Sequence, residues 1–299
     1  MRFATLKELA ELCGKEGVSI ARLMLAEQAR ETGEPESRIA ERMREYYQVM
    51  KEAVRKGIAE APRSRSGLAG GDARRVRDYV AAGDAALGAY PGLAMAYALA
   101  VSEVNASMGR IIATPTAGSC GIIPGVFVSS QERFGWTDDR MVDGLLCAGA
   151  IGYVIANNSF ISGAEGGCQA EIGSAIAMAA GALTELRGGT PDQAVQAVGL
   201  ALKNAIGLVC DPVAGLVEIP CIVRNGFGAV TALAAADMAL AGMRSVIPSD
   251  EVIGVMLEVG SFMPEAYRET ARGGLARTPT GQNIMADLKA KGDGDGPWA

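Results

Sequence analysis

Long Ala/Gly-rich apolar stretches run through this chain, and strict alternation of apolar with polar residues is nearly absent. Ile172 to Leu186 and Pro191 to Leu208 are the plainest cases. Side chains this small let helices approach closely, and a helix that is apolar all round belongs inside a core. Half-buried strands need period-two alternation. The expected fold is therefore all-α: a multi-helix globular domain with a buried Ala/Gly-rich central helix. Ile122 to Ser129 comes nearest to a strand and reads equally well as a buried helix. Hydrophobic residues make up 49% of the chain and aromatics only 5%, so Ala, Leu, Ile, Val and Met must build the core.

Residues 1–60 predict three helices: Thr5 to Cys13, a second capped by Ser19 and reaching Arg30, and a third starting near Pro35. The third carries an apolar stripe of Ile39, Met43, Tyr46, Met50, Val54 and Ile58, suited to the chain's own core or to a partner. Further helices are expected from Arg74, from Pro91 to about Met108, over 138–156, over 226–243, and over 250–259 with Ser249 as cap. A short helix follows Pro264, and a last one begins near Gln282. Residues 1–290 read as one domain, with a helical segment 1–60, a core 61–281, and a flexible tail over 291–299.

A net charge of −6 argues against nucleic acid, which calls for a basic face. The longest uninterrupted apolar runs, such as Ile172 to Leu183, fall short of the ~20 residues of a membrane span. Six cysteines without a secretory signal point to a reducing, cytoplasmic compartment.

Three of those cysteines, Cys168, Cys210 and Cys221, stand in Gly/Pro-rich loops rather than inside helical patterns. Glycine permits close backbone approach to a bulky object, a device that a buried structural thiol does not need. Structural zinc wants four ligands in closely spaced pairs, and the chain has neither such pairs nor any histidine. Iron–sulfur clusters tolerate long spacings. Spacing alone leaves two readings, a cluster or ordinary reduced cysteines.

The segments Ser162-Gly163-Ala164-Glu165-Gly166-Gly167-Cys168-Gln169-Ala170-Glu171-Ile172 and Cys210-Asp211-Pro212-Val213-Ala214-Gly215-Leu216-Val217-Glu218-Ile219-Pro220-Cys221 resemble the iron–sulfur-dependent bacterial L-serine dehydratases, specifically their α subunit. The resemblance extends from Ser64 to Gly281. One departure is Val223, where a lysine is expected.

The resemblance implies a 4Fe-4S cluster on Cys168, Cys210 and Cys221, with one iron not ligated by cysteine. It implies L-serine as substrate, pyruvate and ammonia as products by way of aminoacrylate, and a place in serine catabolism and gluconeogenesis. It also implies a β subunit, since this chain begins almost at once with helices, and the helix around Ile39 to Ile58 is a candidate for part of that contact. Ser64, Ser66 and Gly67, together with Thr114 and Thr116, lie in stretches similar to family motifs and, with Arg224, are expected to hold the substrate. A second Thr278-Pro279-Thr280 triplet is left without a role.

Cys120 reads as a non-ligand near the site, and Cys13 and Cys147 as core. Lys203 is the only lysine between Tyr90 and Thr280, and on a continuous helix it would share a face with Gly207 and Cys210. That makes it a candidate general base, beside Glu165, Asp211, the substrate's own alkoxide, and a histidine from the partner. Pyridoxal phosphate on Lys203 is the other organic route to this reaction, and it would leave the three cysteines without a task. Two non-enzymatic readings stand beside this one. An electron carrier or sensor usually completes its cluster with four cysteines, and a helical scaffold would hold no iron.

Overall fold

Helix starts and stops follow local capping chemistry. In the computed structural model, which describes residues 1–292, Thr5 opens α1 (Leu6–Glu16) with a capping box shared with Glu8, and Gly17 closes it with positive φ. Ser19 caps α2 (Ile20–Thr32) by accepting the Arg22 amide, as its position predicts. Pro35 leads into α3 (Glu36–Glu60). Ten more helices follow among the described residues. They are α4 (Asp72–Ala81), α5 (Ala89–Ala106), α6 (Ile122–Phe134), α7 (Asp138–Asn158), the single turn α8 (Gly163–Gly166), α9 (Ser174–Leu186), α10 (Pro191–Ala205), α11 (Cys221–Leu240), α12 (Ser249–Phe262) and α13 (Pro279–Ala290). No strand occurs among the described residues, and the ambiguous run at Ile122 is helix α6, buried from Ile122 to Ser130.

Every residue of α9 is buried. It is enclosed by α6, α7, α10 and α11, and its alanines let those neighbours pack close on every side. One apolar core runs from Phe3 through α9 to Met256, so the N-terminal helices share it with the rest of the chain. By length and composition α7 would span a membrane, unlike the shorter apolar runs noted in the sequence. Its apolar face is spent on the core instead, with Met141, Ile151 and Ile155 fully buried.

Helix N-termini carry amides that the helix cannot pair, and three carboxylates from elsewhere in the chain cover them. Asp250 accepts Leu6 N and Lys7 N at 2.7 and 3.0 Å, under α1. Glu185 accepts Ile20 N and Ala21 N at 2.6 and 3.0 Å, under α2. Glu103 accepts Gly71 N, Asp72 N and Ala73 N at 3.1, 2.7 and 3.1 Å, under α4. These pairings fix helix positions by carboxylate–amide contacts at the helix ends, buried at Glu103 and Glu185 and nearer the surface at Asp250.

Some local expectations need correction. The buried tyrosine of α3 is Tyr47, not Tyr46: both positions satisfy three-and-four spacing between Met43 and Met50, and it is Tyr47 that packs inward and donates to Gln131 at 2.8 Å. Ile39, Met50, Val54 and Ile58 face the protein's own core, so that stripe is not a free partner surface. Pro248, rather than Ser249, caps α12, and Ser249 Oγ instead donates to Val195 O at 2.6 Å. Of the expected flexible tail, residues 293–299 lie outside the described residues.

Candidate metal centre

The two Gly/Pro-rich cysteine loops converge at the base of α9 and α11. Cys168 sits between α8 and a single π-turn, Gln169–Gly173, that leads into α9. Gln169 is fully buried and pins this turn by accepting Gly207 N at 2.9 Å and donating to Met256 O at 3.0 Å. Cys210 lies in the second loop, where a later segment crosses it: its amide donates to Tyr267 O and its carbonyl accepts Glu269 N. Cys221 is the first residue of α11.

All three thiols are buried. The sulfurs of Cys168 and Cys210 and a carboxylate oxygen of Glu171 all lie within 4.8 Å of one another. Cys221 stands outside that tight set but within reach of its charge. Burial raises its thiol pKa first, and the charges of Cys168 and Glu171 raise it further. The Cys210 thiol is pushed far up by its hydrogen bond with Cys168 and then by burial. Thiols packed together in this way resist losing their protons one by one, and a cation among them reverses that preference.

Glycine makes the approach possible at two points. A Cβ on Gly118 would stand 2.6 and 2.8 Å from the Glu171 carboxylate oxygens. A Cβ on Gly163 would stand 2.9 Å from Cys210 Sγ, 3.2 Å from Glu269 Oε2 and 3.4 Å from Glu171 Oε2. Sulfur and both carboxylates thus meet over bare backbone.

Arg224 is the cation at the centre. It donates to Cys168 Sγ at 3.2 Å, to Val209 O at 2.8 Å and to Asp211 Oδ1 at 2.9 Å. Asp211 also accepts Leu275 N at 2.8 Å, which ties the C-terminal segment to the cysteine loop. Asn225, fully buried one turn into α11, donates to Gly118 O and accepts Gly121 N. Through it the 114–121 loop is locked onto the helix that begins at Cys221.

The hydroxyl loops expected to hold substrate arrive at the same region by two routes. Ser66 Oγ donates to the Glu218 carboxylate at 2.9 Å, and Ser64 Oγ lies 3.2 Å from Ser66 Oγ. Ser64 also accepts Ala69 N, so the turn at Gly67, where φ is +79°, is closed from within. Thr116 Oγ1 hydrogen-bonds Glu171 Oε1, and the Thr114 hydroxyl is buried with no hydrogen-bond partner in the protein.

Lys203 is not brought to the cysteines. Helix α10 ends at Ala205, which breaks the continuous face assumed from sequence. The Lys203 side chain is exposed and donates to Ser245 Oγ at 2.7 Å and Ile247 O at 3.4 Å. Glu165 is likewise exposed. Cys120 is buried at the head of α6, outside the close set, with its thiol pushed up to about 12 by burial and by the charge of Glu171. Cys13 and Cys147 are core residues. Thr278 of the second triplet is the N-cap of α13, accepting Gly281 N.

Sequence reasoning passed over four residues of this centre: Glu171, Asn225, Glu218 and Glu269. Glu171 and Glu218 stand inside motifs already singled out and Asn225 directly follows Arg224, so polar character near the cysteines was their signal. Glu269 had none. Its φ of +63° is uncommon for a side chain of this kind, and such conformations gather at functional sites. Burial raises the pKa of both Glu171 and Glu269; hydrogen bonds from Thr116 to the first and from Ala164 N to the second pull the other way.

Comparison with known proteins bears on this arrangement. The family model for the serine dehydratase alpha chain matches residues 15–276. A protein of Bacillus subtilis described as a probable L-serine dehydratase, alpha chain, is 49% identical over 94% of this chain and 94% of its own length. The L-serine dehydratase alpha chain of Peptoniphilus asaccharolyticus is 43% identical over 97% of this chain and 99% of its own. An L-serine dehydratase of Streptomyces coelicolor is 43% identical over 92% of this chain, which covers 60% of that longer protein.

Proposed function

From the premise that this chain belongs to the serine dehydratase alpha chain family, we propose that it eliminates water from L-serine to give pyruvate and ammonia. A 4Fe-4S cluster on Cys168, Cys210 and Cys221, with one iron free of cysteine, is the cofactor this reading assigns. The observation that carries it is the convergence of the two cysteine loops on one buried point beside Glu171. The donor set fits: soft thiolates favour iron–sulfur chemistry, and glycines at 118 and 163 clear room beside the donors. When bound, such a cluster supplies a Lewis acid that eases departure of the substrate hydroxyl.

The chain's own residues do the rest. Arg224 holds Cys168 in place and offsets negative charge beside it. Ser64, Ser66 and Gly67, with Thr114 and Thr116, supply hydroxyls and amides for the substrate's carboxylate and ammonium, and the unpaired Thr114 hydroxyl supports that role. Released aminoacrylate becomes pyruvate and ammonia without further help. Pyridoxal phosphate has no place in this reading, because Lys203 is committed to Ser245 and Ile247 at the surface.

A second subunit completes the enzyme. The relatives named alpha chain support it, as does the Streptomyces protein, in which this chain's counterpart is only part of a longer polypeptide. That subunit is the source proposed for the histidine that this chain lacks. A cytoplasmic location accords with oxygen-sensitive chemistry.

The test is anaerobic reconstitution followed by iron, sulfide and pyruvate assays. Cys168→Ser, Cys210→Ser and Cys221→Ser are each expected to lose the brown chromophore and activity together, while Cys120→Ser keeps its cluster spectrum. Full iron content in two of the three single variants would sink the assignment.

A further inference from the structure

Three cysteines leave the fourth corner of a four-iron cluster without a thiol, and the acidic groups around the site are not equivalent. Asp211 is committed to Arg224 and to Leu275 N. Glu218 is taken by Ser66, and Glu165 is exposed. Glu269 is half-buried and accepts Ala164 N. Glu171 alone among the carboxylates of the described residues forms a mutually close set with two cysteine sulfurs.

The local structure serves that placement. Glu171 stands in the π-turn that directly follows Cys168, and π-turns inside helices are frequent at functional sites. Its Oε1 accepts the Thr116 hydroxyl, which fixes the carboxylate plane. The Gly118 amide also hydrogen-bonds this carboxylate, and Oε2 lies 3.4 Å from where a Gly163 Cβ would stand, on the side of Cys210. Any side chain at position 118 would displace the carboxylate. A carboxylate and thiols brought together in burial are poor places for charge by themselves, and a bound cation is what lets such a set ionise together. The hydrogen bonds of Arg224 go to Cys168, Val209 O and Asp211, so its charge is felt at Glu171 but its N–H groups are spent elsewhere.

We infer that Glu171 is the fourth protein ligand of the metal group in its resting state, binding through Oε2 the iron that no cysteine reaches. This rests on the cluster reading above. It assigns Thr116 and Gly118 a positioning role, since they hold the carboxylate that closes the site until substrate arrives.

The experiment uses the full chain, reconstituted under argon with Mössbauer-active iron and sulfide, as wild type and as Glu171→Gln. Iron content and Mössbauer spectra are recorded, and the reduced proteins are examined by electron paramagnetic resonance in water enriched in oxygen-17. The wild-type signal is expected to show no broadening from solvent oxygen. The variant should keep its iron, shift the Mössbauer signal of the one distinct iron, and become broadened. Solvent broadening of the wild-type signal, or spectra that the substitution leaves unchanged, would overturn the assignment. The wild-type measurement decides by itself if the variant does not fold. A wild type that takes up no iron overturns the cluster reading as well, whereas a full cluster already open to solvent overturns only the role of Glu171.

Discussion

Thr114 and Ser66 separate two uses of a hydroxyl in this protein. Ser66 is paired with Glu218, while Thr114 is buried and unpaired within the chain. Thr114→Ala should therefore leave folding nearly untouched and act on substrate. Loss of a hydrogen bond to a charged group costs about 1.5–3 kcal/mol, so kcat/KM should fall about tenfold to a hundredfold with iron content unchanged. Ser66→Ala strips a donor from the buried Glu218 and should lower both kcat/KM and the denaturation midpoint. Steady-state kinetics and chemical denaturation of the two variants check this, and a Thr114→Ala enzyme with normal kinetics would move the pocket elsewhere. Arg224 belongs at this scale too. Its position was legible beside Cys221, but its actual partners, Cys168 and Asp211, are long-range and were not.

At the scale of the element, α9 and the borrowed caps make separate predictions. Every side of α9 is packed, so Ala179→Leu has no space to fill. Overpacking of this kind costs about 1–3 kcal/mol, to be read as a lowered midpoint in guanidinium with an unchanged slope. Glu103, under α4, has its pKa raised by burial even though three backbone amides pull it down. A raised folded-state value means that this residue's contribution is full below the ordinary glutamate range and is lost as pH climbs through the raised value. Glu103→Gln should flatten that decline. Midpoints measured across the acidic range for both proteins test it, and parallel curves would show that Glu103 is not the group responsible. Helix α3 shows the limit of pattern reading for an element: the stripe was right about burial, but placed Tyr46 where Tyr47 belongs, because adjacent tyrosines both satisfy three-and-four spacing and only packing chooses between them.

For the whole molecule, the proposal of a second subunit is the most consequential. No histidine is present in the chain, and a positioned general base contributes about a hundredfold to ten-thousandfold. Turnover by the isolated, reconstituted chain should accordingly fall by about a hundredfold or more against the complex with its partner, at equal iron content. Undiminished pyruvate formation by the chain alone would return the base to a carboxylate of this subunit, Glu269 being the half-buried one beside Cys210.

What the sequence by itself determined is everything that depends on near neighbours along the chain. The all-α class follows from apolar spacing, the cap at Ser19 from a hydroxyl at a helix start, the start of α10 from Pro191, and the cysteine loops from glycine and proline around reactive side chains. The central helix was legible because small residues on all faces have only one comfortable place. Tertiary structure alone decided which side chains share the site. Glu171 was turned in by a π-turn that no pattern announces, and Glu269 was delivered by a strained segment pairing with Cys210 far along the chain. Lys203 was carried away to Ser245 because α10 stops at Ala205. Periodicity and capping act over a few residues, whereas the centre's charges are set by contacts across dozens. The chemistry of the loops was therefore readable before their geometry was.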